Sequence, residues 1–134
     1  MREILFKAKR LDNGEWVEGY YFQRPNDPTG EKHYIVTVCK CQWYEIDPNT
    51  LCQFTGLTDK DGNKIWENDI VDVSGCWWAS TDITRHLVEW NETLTGFSPF
   101  FVDYNSDCCI YYYSEDSKVI GNKFDNFELL ERNF

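Results

Sequence analysis

Residues 57–71 read LTDKDGNKIWENDIV, and the fold class turns on how this stretch is read. Asp59, Asp61 and Asn63 alternate as the first ligands of a calcium-binding loop do, which would place the stretch between two helices. Counted from Asp59, such a loop needs Gly at its sixth position and Glu at its twelfth; the chain has Lys64 and Ile70 there. Gly62 falls at the fourth position, where it does not make the required bend, and no long helix flanks the segment. The stretch therefore reads as a tight turn built from Asp59, Asp61, Gly62 and Asn63. In such turns Asp and Asn side chains hydrogen-bond the nearby backbone. The turn leads into a strand that begins near Asp69.

Outward from this turn the pattern is that of short strands. Ile4, Phe6 and Ala8 alternate on one face, Asn13-Gly14 is a hairpin signal, and WVEGYYF (16–22) is the return strand. RPNDPTGEK (24–32) is a loop, rich in Pro, Gly and Asn. HYIVTVCKCQWYEI (33–46) is β-branched and aromatic and reads as one strand bent near Gln42. Asp47-Pro48-Asn49 is a turn, and TLCQFTG (50–56) a short strand closed by Gly56. IVDV (70–73), RHLVEW (85–90), FFVDY (100–104) and CIYYYSE (109–115) are further strands. SGCWWASTD (74–82) reads as an exposed or functional loop. DNFELLERNF (125–134) fits a helix of about two turns or a closing strand. Turn signals at this spacing indicate a mainly β protein with little helix. In a chain of 134 residues, a small barrel, or a barrel with a sheet extension, is the economical solution.

The chain is 42% hydrophobic and 17% aromatic, which supplies a core, and its formal net charge is −10. Residues 1–50 carry 7 basic and 8 acidic groups, residues 51–90 carry 3 and 7, and residues 91–134 carry 3 and 8. A surface this acidic repels phosphate backbones and disfavours general nucleic-acid binding. Arg2, Lys7, Lys9 and Arg10, against Glu3 alone, form a small basic N-terminal edge. No apolar run approaches the ~20 residues that span a bilayer, and Lys7, Lys9 and Arg10 interrupt any signal-peptide core. A cytoplasmic protein is expected. The six cysteines, Cys39, Cys41, Cys52, Cys76, Cys108 and Cys109, are then expected as free thiols.

Chemistry-bearing patterns are weak. Cys39-Lys40-Cys41 and Cys108-Cys109 lack the spacing of zinc knuckles, and on a strand Cys39 and Cys41 would share a face as small core residues. His33 and His86 are the two histidines, at a loop-to-strand boundary and within a strand. No nucleophile elbow, phosphate-binding Gly-rich loop or metalloprotease helix motif is present. Neither enzyme activity nor a cofactor or metal is expected. The aromatics carry more. Trp77 and Trp78 follow Gly75 in a loop, and Tyr111, Tyr112 and Tyr113 show Tyr to both faces of a strand. Such surfaces favour a subunit or partner interface, where Trp and Tyr are enriched. Stacking of single-stranded nucleic acid on them would need a basic groove, and only the N-terminal edge offers one.

Three stretches together resemble the YopX family of phage and prophage proteins. ILFKAKRLDNGEWVEGYYF (4–22) is similar to its N-terminal signature. IDPNTLCQFTGLTDKDGNKIWENDIVDV (46–73) is similar to its central motif, and VIGNKFDNFELLE (119–131) to its C-terminal signature. They cover nearly half the chain, in the family's order; residues 24–42 and 74–117 do not show the pattern. The central motif usually has Tyr and Gly where this chain has Trp66 and Asn68, and Asn still tolerates a left-handed turn. The resemblance implies a small SH3-like barrel over 57–134, an N-terminal β region over 1–56, homo-oligomerisation and a phage or prophage gene in a bacterium. It implies no activity. The expectation is a non-enzymatic binding or assembly protein that self-associates or engages a host or phage protein. The alternative is an acidic mimic of nucleic acid that inhibits a host DNA-processing or defence protein.

Overall fold

A computed structural model describes residues 3–24, 28, 32–73, 85–93, 95–100 and 114–131. The chain divides into two compact units, Met1–Phe54 and Thr55–Phe134.

The first unit is an antiparallel sheet of β1 (Phe6–Lys9), β2 (Trp16–Gln23), β3 (His33–Val36) and β4 (Trp43–Glu45), with the start of β5 (Cys52–Thr58) on the other side of β1. The β1–β2 turn follows from its residues. Gly14 takes φ 73°, and the Asn13 side chain accepts the Glu15 N–H at 2.9 Å. Register then sorts the faces. Ala8 lies opposite Val17, Tyr21 opposite Ile35, and Ile35 opposite Tyr44. Ala8, Val17, Ile35 and Ile46 form the buried core, packed by Phe6, Tyr21, Tyr44 and Leu51. The far end of the sheet is tied back to its start. Arg10 and Ile46 form an antiparallel bridge, and the Asp47 N–H donates to Lys9 O at 2.9 Å. The Lys9 N–H donates to Thr50 Oγ1 at 2.8 Å, and the Thr50 hydroxyl donates to Asp47 O at 2.7 Å. These bonds curl the sheet around its core.

HYIVTVCKCQWYEI is two strands and a turn, not one bent strand. The Thr37 N–H donates to Gln42 O (2.9 Å), and Thr37 O and Oγ1 accept the N–H groups of Cys41 (3.2 Å) and Gln42 (3.2 Å). Cys41 sits at φ 50°. Here the Thr37 hydroxyl and a left-handed Cys make the turn that Gly or Asn makes elsewhere, so composition alone does not reveal it. Cys39 and Cys41 are free, exposed thiols on that turn rather than core residues of a strand.

In the second unit β5 does not close at Gly56. It passes through that residue at φ 86° and runs on to Thr58, beside β6 (Lys64–Trp66). The Thr55 hydroxyl donates to Ile65 O at 2.7 Å and fastens the pair. β7 (Asp69–Asp72) lies between β8 (Arg85–Leu87) and β11 (Lys118–Asn122), both antiparallel to it. β9 (Glu89–Asn91) pairs with β10 (Gly96–Ser98). RHLVEW thus splits at the fully buried Val88, where the chain changes partner from β7 to β10. Ile65, Val71, Val73 and Val88 form the core, joined by Leu57, Phe97, Phe100 and Val119. β6, β10 and β11 are strands that the sequence reading did not assign. Among the described residues α1 (Glu128–Glu131) is one turn of helix. FFVDY beyond Phe100, CIYYYSE up to Tyr113, and SGCWWASTD lie outside the described residues.

The fold is mainly β, antiparallel, with almost no helix. Among the described residues the pairings form open sheets and no closed barrel. No helix among them is long and apolar enough to cross a membrane.

One residue tests the register of the first unit. A Cβ placed on Gly19 would lie 1.9 Å from Val36 O, so β2 and β3 approach closely only because position 19 has no side chain. Gly19→Ala is expected to lose at least about 2 kcal/mol of stability in urea unfolding, with the cost in the first unit. Wild-type stability in this variant would contradict the register.

Candidate functional site

The turn at 59–63 is a hydrogen-bond junction. Asp59 is 4% exposed, and its backbone N–H donates to Asn63 O at 2.9 Å. Its Oδ1 accepts the N–H groups of Asp61 (2.9 Å) and Asn63 (2.9 Å). Its Oδ2 accepts the Val119 N–H (3.0 Å) and Asn63 Nδ2 (3.4 Å). Gly62 turns the chain at φ 81° and donates its N–H to Asp59 O at 3.0 Å. The Lys60 N–H donates to the O of the fully buried Ser117 at 2.9 Å. Asp59, Asp61, Gly62 and Asn63 therefore meet in one turn, and that turn is bonded to the start of β11. Both carboxylate oxygens of Asp59 are taken up by N–H donors. Desolvation pushes this carboxyl up, but the hydrogen bonds from Val119, Asn63 and Asp61 outweigh it and hold the carboxyl below its ordinary value.

The neighbouring turn has the same logic. Asn68 takes φ 72°, a conformation that suits Gly or Asn. Buried Asp69 accepts the Trp66 N–H on Oδ2 at 2.8 Å. At the C-terminal end Asn122 Oδ1 accepts the N–H groups of Phe124 (2.9 Å) and Asp125 (3.0 Å), and Asn126 Oδ1 accepts the Asn122 N–H (3.2 Å). The polar residues of these signatures are spent on the backbone.

His33 shares a 2.6 Å hydrogen bond between Nδ1 and the Tyr21 hydroxyl, and its ring stacks on that of Tyr21. His86 lies in β8 opposite Val71. The Cys52 thiol donates to Thr50 O at 3.2 Å. Among the described residues no group of three His, Cys, Asp or Glu side chains is placed to hold a metal ion. Trp77, Trp78, Tyr111, Tyr112 and Tyr113 lie outside the described residues.

A different aromatic surface is in view. The face of the first sheet opposite its core carries Lys7 and Lys9 on β1 and Trp16, Glu18, Tyr20 and Phe22 on β2. Tyr34 and Val36 follow on β3, and Trp43 and Glu45 on β4. Tyr20 is 55% exposed and Trp43 59%. Phe22 meets Trp43 edge-on at 4.9 Å and stacks with Tyr34 at 5.4 Å. Lys7 and Lys9 lie over the Trp16 ring at 4.7 and 5.5 Å. At the β4 edge a cleft of about 300 Å³ is lined by Leu11, Asp12, Trp43, Tyr44 and Glu45. Beside it the Arg10 guanidinium lies 4.2 Å from the Tyr44 ring centre and grips both Asp12 oxygens, at 2.9 and 2.6 Å. That grip lowers the Asp12 carboxyl and raises the Arg10 guanidinium. The signal for this face was in the sequence: in WVEGYYF, Trp16, Tyr20 and Phe22 share the parity opposite to the core residue Val17. Reading the strand without assigning its outward face missed it.

Asp59→Asn separates the two roles of the carboxylate, because Oδ1 still closes the turn while an amide nitrogen faces the Val119 N–H. A loss of about 1–2 kcal/mol is expected for Asn and about 2–4 kcal/mol for Ala. A carboxyl held below its ordinary value binds its proton less readily folded than unfolded. Its contribution is therefore complete above the ordinary carboxylate range and lost as pH falls through the depressed value. Urea unfolding of the wild type from neutral to acid pH should show that loss, and Asp59→Asn should show less of it. Equal acid sensitivity in both would contradict the assignment.

The comparisons with known proteins address fold and family. Three chains of solved structures match. Among them is the crystal structure of protein EF1440 from Enterococcus faecalis, with a TM-score of 0.55 and 22% identity, over 98% of this chain and 100% of that one. At this identity the likeness is one of fold. No curated protein matches. The model of the family described as YopX protein matches residues 5–131, nearly the whole length, and the chain belongs to that family.

Proposed function

We propose that the chain is a phage- or prophage-encoded binding or assembly protein, without enzymatic activity, that works as a homo-oligomer in the cytoplasm of a host bacterium. The observation that carries this reading is the exposed aromatic face of the first unit, beside signature polar residues that are engaged with the backbone. Tyr20 and Trp43 expose more than half of their surface, and exposed aromatics of this kind mark interaction surfaces. Trp77, Trp78 and Tyr111–Tyr113 are candidate interface residues in this reading by residue type alone. Residues 57–134 are taken as an SH3-like barrel, with residues 1–56 as its N-terminal β extension.

Charge distribution supports a second reading. Residues 1–54 carry 7 basic and 8 acidic groups, whereas residues 55–134 carry 6 and 15. Acidity this concentrated suits an inhibitor that mimics nucleic acid and occupies the basic cleft of a host DNA-processing or defence protein.

Sedimentation at micromolar concentration tests the first reading; a mass above the monomer is expected, and a monomer at all concentrations overturns it. Affinity capture from host lysate tests the second. A basic DNA-binding protein released by salt is expected, and recovery of this chain alone would sink the idea.

A further inference from the structure

The chain holds a single Asn-Gly pair, Asn13-Gly14, and the turn between β1 and β2 assembles around it the parts of a reaction of the chain with itself. An asparagine is lost when the nitrogen of the next residue attacks its side-chain amide carbon. Glycine in that next place hinders the attack least, since it has no side chain. Gly14 lies at φ 73°, and a Cβ placed on it would meet nothing within 4 Å. Asn13 and its neighbours from Leu11 to Glu15 are exposed. Asn13 Oδ1 already accepts the Glu15 N–H at 2.9 Å. That donor stands at the oxygen where negative charge develops as the amide carbon is attacked. We propose that Asn13 is a site of spontaneous deamidation, timed by opening of the β1–β2 turn.

The step balances without an oxidant. The Gly14 nitrogen gives its proton to hydroxide and bonds to Asn13 Cγ, and Nδ2 leaves as ammonia. The resulting five-membered imide then takes up water at either carbonyl and opens to isoaspartate or aspartate. The turn sets the rate. The Gly14 N–H donates to Arg10 O at 2.9 Å, and the Arg10 N–H to Glu15 O at 2.9 Å. A nitrogen whose proton is held in a hydrogen bond is a poor nucleophile, so attack waits until the bond to Arg10 opens. The opening is local and of low cost, because the turn is exposed from end to end. The Asp61-Gly62 pair can reach the same imide by loss of water, but it is held more firmly. Its N–H groups donate to Asp59 Oδ1 and O, and Asp59 is bonded onward to Val119. The outcome at Asn13 is one-way, since the ammonia does not return. Aspartate adds a negative charge beside Asp12 and Glu15. Isoaspartate also inserts an extra backbone atom between Arg10 and Glu15, which breaks the register of the turn bonds. Leu11 and Asp12 line the cleft against Trp43, Tyr44 and Glu45, so the change reaches that edge of the first unit.

This inference is independent of the binding and self-association readings. Its test is to incubate the full chain at mildly alkaline pH, folded and unfolded in guanidinium, and to follow position 13 by peptide mapping. Conversion of amide to acid changes the mass, whereas isomerisation at Asp61 does not, so the two pairs are told apart. Amide hydrogen exchange of the Gly14 N–H is measured on the folded chain in parallel. Exchange and attack both need that N–H released, so both should be slowed by the same factor relative to the unfolded chain, about ten- to a hundredfold. Asn13→Ser should abolish the mass change in either state. A folded chain that converts as fast as the unfolded one while its Gly14 N–H is protected overturns the role of the turn. A folded chain that stays unconverted well beyond the time set by its Gly14 protection, or protection above about a thousandfold, overturns Asn13 as a modification site. A mass change that persists in Asn13→Ser places the reaction elsewhere and overturns it as well.

Discussion

In the second unit, one carboxylate stands where three pieces of chain must agree. Asp59 closes its own turn through Asp61 and Asn63, and it reaches the Val119 N–H 60 residues away in sequence. The bond to Val119 sits at the start of β11, the strand that pairs with β7, so the turn before β6 helps fix where β11 begins. A buried carboxylate is costly unless its oxygens are paired, and here backbone N–H groups do the pairing. This explains why a stretch with the look of a cation loop folds as a joint. The donors converge on the carboxylate, and a metal ion would have to compete with them for the same oxygens.

The first unit solves a different problem. A short sheet has one face to bury, and small residues let it curl: Gly19 admits the β3 backbone and Ala8 sits at the centre of the core. The bonds among Lys9, Asp47, Thr50, Arg10 and Ile46 then hold the ends together. Curling a sheet around its core leaves the opposite face outward. That face carries Trp16, Tyr20, Phe22, Tyr34 and Trp43, residue types that fit strands well but bury poorly on a convex surface. The exposed aromatic face is thus a consequence of the packing solution.

The residues that carry the family resemblance have visible structural work. Asn13 and Gly14 turn the first hairpin, Asp47 and Thr50 tie the 3₁₀ turn Pro48–Thr50 to β1, Asp59 joins β11, and Asn68 takes a left-handed turn. Gly121 lies so close to Asn126 that a Cβ there would fall 2.5 Å from its Oδ1. A signature made of such residues identifies a fold and is silent about chemistry, because function belongs to the surfaces that the fold presents.

The sequence by itself determined the β class, the hairpin at Asn13-Gly14, the rejection of the calcium-loop count and the family. Each depends on local periodicity or on turn chemistry within a few residues. It did not yield the turn at Thr37–Gln42, because a threonine hydroxyl and a left-handed cysteine replace the usual Gly or Asn there. Nor did it yield β6, β10 and β11: β6 and β10 are three residues long, too short to show a period, and β11 owes its place to β7, distant in the chain. Only tertiary structure decided that Asp59 answers to Val119, and that alternate residues of WVEGYYF and HYIV divide into a core and an aromatic outer face. Which face a strand buries is fixed by register against its neighbours, and register is a property of the assembled sheet.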